Sequence, residues 1–71
     1  MPLSLSKHGI SVEVKRISGG EEVKKRLESM GFTVGAMVTI VSELAGSLIV
    51  SVKDSRIALN QDLANRIFVA V

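Results

Sequence analysis

Within residues 26–41, RLESMGFTVGAMVTIV, the apolar spacing changes from helical to alternating across two glycines four positions apart. This helix-to-strand switch limits the fold more than any other feature of the chain. Upstream of it, Val23, Leu27 and Met30 stand at i, i+4 and i+7, which puts them on one side of a short helix beginning near Gly20. Glu21 and Glu22 fall in the first turn, where the positive end of the helix dipole favours them, and Lys25 and Arg26 stand at i+4 as expected ion-pair partners. Gly31 is expected at C′, the left-handed position that ends a helix without a Cβ clash. Leu27 and Phe32 then occupy C3 and C″, whose apolar contact accompanies a Schellman cap. Gly35 is the third residue of TVGA, where a type II turn requires positive φ.

On either side of the switch the pattern is strand-like. Residues 10–17, ISVEVKRI, alternate Ile10, Val12 and Val14 against polar neighbours, and Ile17 returns to the buried side only if a bulge falls near Lys15 and Arg16. Val38 and Ile40 form one inward row and Leu48, Val50 and Val52 another, with ELAGS as the expected hairpin connection. KDS supplies a tight turn, RIAL a short further run, and NQDLAN a polar bend expected as one 3₁₀ turn capped by Asn60 or Asp62, with Leu63 facing in. Ile67, Val69 and Val71 alternate at the end, in a strand expected to pair with the first. The fold class is therefore mainly β: one domain over 1–71, with five short strands and one short α-helix between strands 1 and 2. Connections this short point to a small closed or partly closed barrel, because closure removes edges that would template aggregation.

Size and composition narrow the chemistry. A chain of 71 residues has room for one core and buries only about 60% of the surface its unfolded form exposes. It has no cysteine, so disulfides, thiolate metal sites and cysteine nucleophiles are all excluded. The start, MPLSLSKHG, lacks the charged and apolar regions of a signal peptide. The most apolar stretch, MVTIVSELAGSLIVSV, is interrupted by serines, Glu43 and Gly46, and falls short of the ~18 apolar residues of a membrane span. A soluble cytoplasmic protein without direct membrane insertion is the expectation, and Met1, placed as an initiator, suggests a complete gene product. Nine Lys and Arg against seven Asp and Glu are interspersed rather than clustered, and the only aromatics are Phe32 and Phe68, a poor basis for binding nucleic acid.

In order along the chain, Leu27, Met30-Gly31-Phe32, Gly35, Val38 and Ile40, then Arg56, Ala58 and Leu59, then Ala64, Ile67 and Val69 form a pattern that resembles the FeoA family of ferrous-iron transport systems. The resemblance spans nearly the whole chain. It implies an SH3-like barrel and an accessory or regulatory role through contact with the cytoplasmic side of FeoB, the membrane GTPase of the system, rather than carriage of iron. The chain departs from the family at Val34, where relatives often have proline, and in ELAGSL, where many have a longer loop. A similar barrel occurs in iron-dependent transcriptional repressors, so a repressor-type regulatory domain and a free-standing nucleic-acid-binding barrel stand as alternatives.

No metal site, cofactor site or catalytic constellation follows from spacing. Ferrous iron is commonly held by imidazole and carboxylate together, but His8 is the sole histidine and the carboxylates are scattered. There is no G-x-S-x-G elbow, and SGGEE places two glutamates where a phosphate would sit, without the P-loop lysine. The expectation is a binding module and not an enzyme. Its candidate contact residues are Met37, Val41 and Ile49, which are out of phase with the inward rows of the central hairpin. The hairpin edge also leaves homo-oligomerisation open.

Overall fold

The computed structural model describes residues 1–70. After a 3₁₀ turn at Leu3–Leu5 come β1 (Ser11–Ile17), α1 (Glu21–Ser29), β2 (Met37–Leu44), β3 (Ser47–Val52), β4 (Ser55–Asn60), the single turn α2 (Gln61–Ala64) and β5 (Ile67–Val69). The strands form one antiparallel sheet in the order β4-β3-β2-β1-β5. Extents of 28 × 24 × 22 Å are too nearly equal for a flat sheet, so the sheet curls around its own inner face.

The curl turns on β1. Its first half, Ser11 to Glu13, pairs with β2, and its second half pairs with β5. The register shifts between Val14 and Arg16, which places the expected bulge at Lys15 and brings Ile17 back to the interior at 7% exposure. One apolar cluster fills the barrel: Val38, Ile40, Leu48, Val50 and Val52 from the hairpin, Leu59 from β4, Ile67 and Val69 from β5, and Leu27 and Phe32 from the helix and its cap.

The helix terminus has the anticipated geometry throughout. Met30 is the C-cap, and Gly31 follows at φ +103°. The Phe32 N–H donates to the Leu27 carbonyl at 3.0 Å, and the Gly31 N–H donates to Glu28 at 3.0 Å, which are the two bonds of a Schellman motif. Leu27 and Phe32 are both fully buried. Gly35, at φ +92°, closes the next turn, in which the Ala36 N–H donates to Thr33 at 3.0 Å. The Gly35 N–H also donates to the Val14 carbonyl at 2.8 Å, so the turn that aims β2 is tied to β1.

Several expectations are corrected. ELAGS is not a loop: β2 continues through Leu44, and a two-residue turn of Ala45 (φ +52°) and Gly46 (φ +81°) reverses the chain, the I′ geometry that matches strand twist. NQDLAN forms an α-helical turn, not a 3₁₀ one: the Asn65 N–H donates to the Gln61 carbonyl four residues back at 2.9 Å, and the Asn60 side chain caps the turn by accepting from the Leu63 N–H at 2.9 Å. Ile10 does not join the inner row of β1. It lies just before the strand, half exposed, where the Gly9 N–H bonds to the Ile40 carbonyl at 2.8 Å. Glu21 and Glu22 form no ion pair with Lys25 or Arg26; the pairs present among the described residues are Lys15–Glu13 and Arg66–Asp62. Exposed pairs gain too little to hold long side chains in one geometry. The expected inward position of Val71 lies outside the described residues.

The N-terminal segment, for which the sequence reading gives no structural role, is part of the barrel. Leu3 is fully buried, Pro2 bridges Phe68, and the Val69 N–H donates to the Met1 carbonyl at 2.8 Å. The outer edge of β5 is thus paired, which blunts a template for aggregation.

Two substitutions test these features. At Gly31 an added Cβ would meet Val52 Cγ2 at 3.5 Å, an ordinary contact, so Gly31→Ala is charged only for backbone strain. We expect a loss of about 1–2 kcal/mol in urea unfolding. Ala45→Asn, which favours the left-handed turn conformation, is expected to raise stability by up to about 1 kcal/mol, seen as a melting point higher by about 4–8 °C.

Candidate contact surfaces

Alternation along β2 turns Met37, Thr39 and Val41 away from the core while Val38 and Ile40 point into it. Met37 is 54% exposed and Val41 37%. Val41 is the extra residue of a bulge, since Ile40 pairs with Val50 while Ser42 pairs with Ile49. Ile49, opposite Ser42 on one side and Ala58 on the other, is half-buried rather than open. Of the three residues anticipated as a contact face, two are therefore exposed and the third lies partly covered beside Val41. The C-terminal end of α1 lies by the β3–β4 turn, where Gly31 sits against Val52 and Lys53.

A second surface was not legible in the sequence. Met1, Leu5, Ile10, Val12 and Ala70, with Ser6 and Lys7, line an almost wholly apolar cleft of about 300 Å³ beside the start of β1. Leu5 is 68% exposed and Ile10 50%, large values for leucine and isoleucine in a small domain. Ser6 is buried, yet its Oγ has no hydrogen-bond partner, an arrangement that costs free energy unless something supplies one. Strand-like alternation of LSLS at 3–6 would put Leu3 and Leu5 on one side; the 3₁₀ turn over Leu3–Leu5 instead buries Leu3 and leaves Leu5 outside.

The polar groups show no convergence. His8 is exposed in the turn before β1. Among the described residues no three His, Asp or Glu side chains come together as a metal ion would require. Nor is any helix among them long and apolar enough to cross a membrane. Phe32 is fully buried, and the Arg16 guanidinium lies 4.4 Å from the centre of the half-buried Phe68 ring, over one of its faces.

These features can be set beside known proteins. The FeoA domain model matches residues 1–71. A protein of Methanocaldococcus jannaschii described as a putative Fe(2+) transport protein A is 38% identical over 68 residues, covering 96% of this chain and 83% of that protein. A crystal structure of an iron uptake regulatory protein, FeoA, superposes with a TM-score of 0.88 at 38% identity, covering 97% of this chain and 92% of the other. FeoA of Stenotrophomonas maltophilia complexed with zinc, described as a prokaryotic SH3 domain protein, superposes with a TM-score of 0.85 at 28% identity, covering 99% of this chain and 89% of the other. The curled five-stranded sheet, the capped helix between its first two strands and the match along the whole chain together make this protein a member of the FeoA family.

Proposed function

We propose that the protein is an accessory of ferrous-iron transport that acts in the cytoplasm by contact with a FeoB-type membrane GTPase, and that it performs no catalysis of its own. Family membership supports the transport role. The observation that carries the contact is the exposed apolar pair on the outer face of β2: Met37 stands open at the start of the strand and Val41 at its bulge, with Ile49 alongside. A rigid strand presents such side chains at little entropic cost, and aliphatic residues emerging from an ordered sheet gain more on burial than the same residues on a mobile loop. With Phe32 sealed in the core and Arg16 over one face of Phe68, little aromatic surface is offered for stacking of nucleic acid.

The test is a binding titration against the purified cytoplasmic part of a FeoB-type GTPase. Met37→Glu and Val41→Glu should each weaken binding at least about tenfold, the scale of a central interface residue. Lys25→Glu on the exposed face of α1 should leave it unchanged. Both β2 positions are exposed, so circular dichroism should show the fold intact. Failure of the wild-type protein to bind, or indifference to both β2 substitutions, would refute the assignment.

A further inference from the structure

We propose that two copies of this chain pair through the free edge of β4, strand against strand, about a two-fold axis at Ala58. Which hydrogen-bonding groups lie on that edge follows from the turn before the strand. Lys53 (φ +47°) and Asp54 (φ +64°) form a two-residue turn between the paired Val52 and Ser55, and a hairpin of this type closes on a pair that exchanges both backbone bonds. Alternation then turns the peptide groups of Ser55, Ile57 and Leu59 toward β3 and leaves the N–H and C=O groups of Arg56, Ala58 and Asn60 on the outer side. Among the described residues, no backbone bond outside the helices and strands involves residues 55–60. The Asn60 carbonyl, at the N-cap of α2, serves that helix; the other groups on this edge have no protein partner.

The other edge of the sheet is covered, since Met1 and Pro2 pair with β5. β4 carries none of the usual protections: its pairing with β3 runs from end to end without a register shift, and it has neither proline nor lysine. The order of its side chains points to a second copy as the occupant. From Ala58 outward, Arg56-Ile57-Ala58-Leu59-Asn60 reads small, aliphatic, polar in both directions. Antiparallel pairing centred there sets Ala58 opposite Ala58 of the second copy, Ile57 opposite Leu59, and Arg56 opposite Asn60, so no cross-strand pair brings like charges together. The two Ala58 residues exchange both backbone bonds, and each Asn60 N–H reaches the Arg56 carbonyl across the axis. Ile57, half-buried at the margin of the core, gains further cover. The two Arg56 residues stand four positions apart, about 13 Å at the rise of a strand, which exceeds the Debye length of about 8 Å at physiological ionic strength. Their repulsion is therefore largely screened. The contact is isologous and small, which makes the dimer weak and reversible.

Sedimentation velocity on the full chain from about 20 μM to 1 mM tests this; the range spans weak affinities. The wild type should pass from monomer to dimer and no further, because each copy has one such edge. Ala58→Pro removes an N–H that is unpaired in the monomer, a position where edge strands tolerate proline, and should weaken dimerisation at least about tenfold. Ala58→Lys and Ala58→Glu each set like charges face to face across the axis and should weaken it up to about fivefold. Mixed together, these two variants should prefer a 1:1 heterodimer. Ala58 is exposed, so all three should fold, which circular dichroism checks. Amide hydrogen exchange read by NMR locates the contact: protection of Ala58 and Asn60 should rise with concentration, while Ile57 and Leu59, already bonded to β3, stay protected throughout. A wild type that is monomeric at 1 mM, a dimer undisturbed by Ala58→Pro, exchange at Ala58 independent of concentration, or no preference for the mixed pair would overturn the proposal. None of these outcomes depends on the GTPase contact, which uses the outer face of β2.

Discussion

The hydrogen bond from the Phe32 N–H to the Leu27 carbonyl holds the molecule's two kinds of structure together. A nine-residue helix is too short to persist in water alone, since isolated helices below about 12–15 residues are marginal. α1 exists because Leu27 is sealed in the core, and Phe32, one turn on, is sealed beside it. Gly31 permits the reversal that brings them there, and Gly35 delivers the chain into β2 while donating to Val14 of β1. Helix end, strand start and sheet pairing are set within five residues. Disturbing this junction misaligns β2 against β1, and with it every inward residue of the hairpin.

A barrel of this size must also deal with its edges. Because β4 and β5 are the outer strands, hydrogen bonding among the strands does not by itself close the sheet. α2 links the two edges covalently, its cap supplied by Asn60 at the end of β4. The N-terminal segment then pairs with β5, and the Ser4 hydroxyl donates to the Asn65 side chain just after α2. Closure is thus accomplished by two short irregular pieces, each fixed by a few polar contacts, with Leu3 and Ala64 as their apolar anchors.

The division between what the sequence reveals and what it hides follows the range of the interactions. The helix cap, the Gly35 turn, the Lys15 bulge and the inward rows of the hairpin are legible because each is specified by residues a few positions apart. The role of Leu3 is hidden because its neighbours arrive from the far end of the chain. Ala45 gives no turn signal, since alanine rarely adopts positive φ; the strand twist and Gly46 impose it. Of the three residues proposed for the contact, the exposure of Met37 and Val41 is readable from phase alone, whereas the partial cover over Ile49 comes from pairing on both sides. The cleft could not be read at all, because it is made by Met1, Val12 and Ala70 coming together from three separated segments.

The outer row of β2 owes its presentation to the core. Met37, Thr39 and Val41 alternate with Val38 and Ile40, so the row that is sealed inside fixes the row that is left outside. Met37 and Val41 stand four residues apart, about 13 Å at the rise of a strand, and Ile49 of β3 lies across from the bulge at Val41. Side chains held at fixed spacing on a stiff strand lose little freedom when a partner covers them. The stiffness comes from the same inward row, Val38 and Ile40, that builds the core.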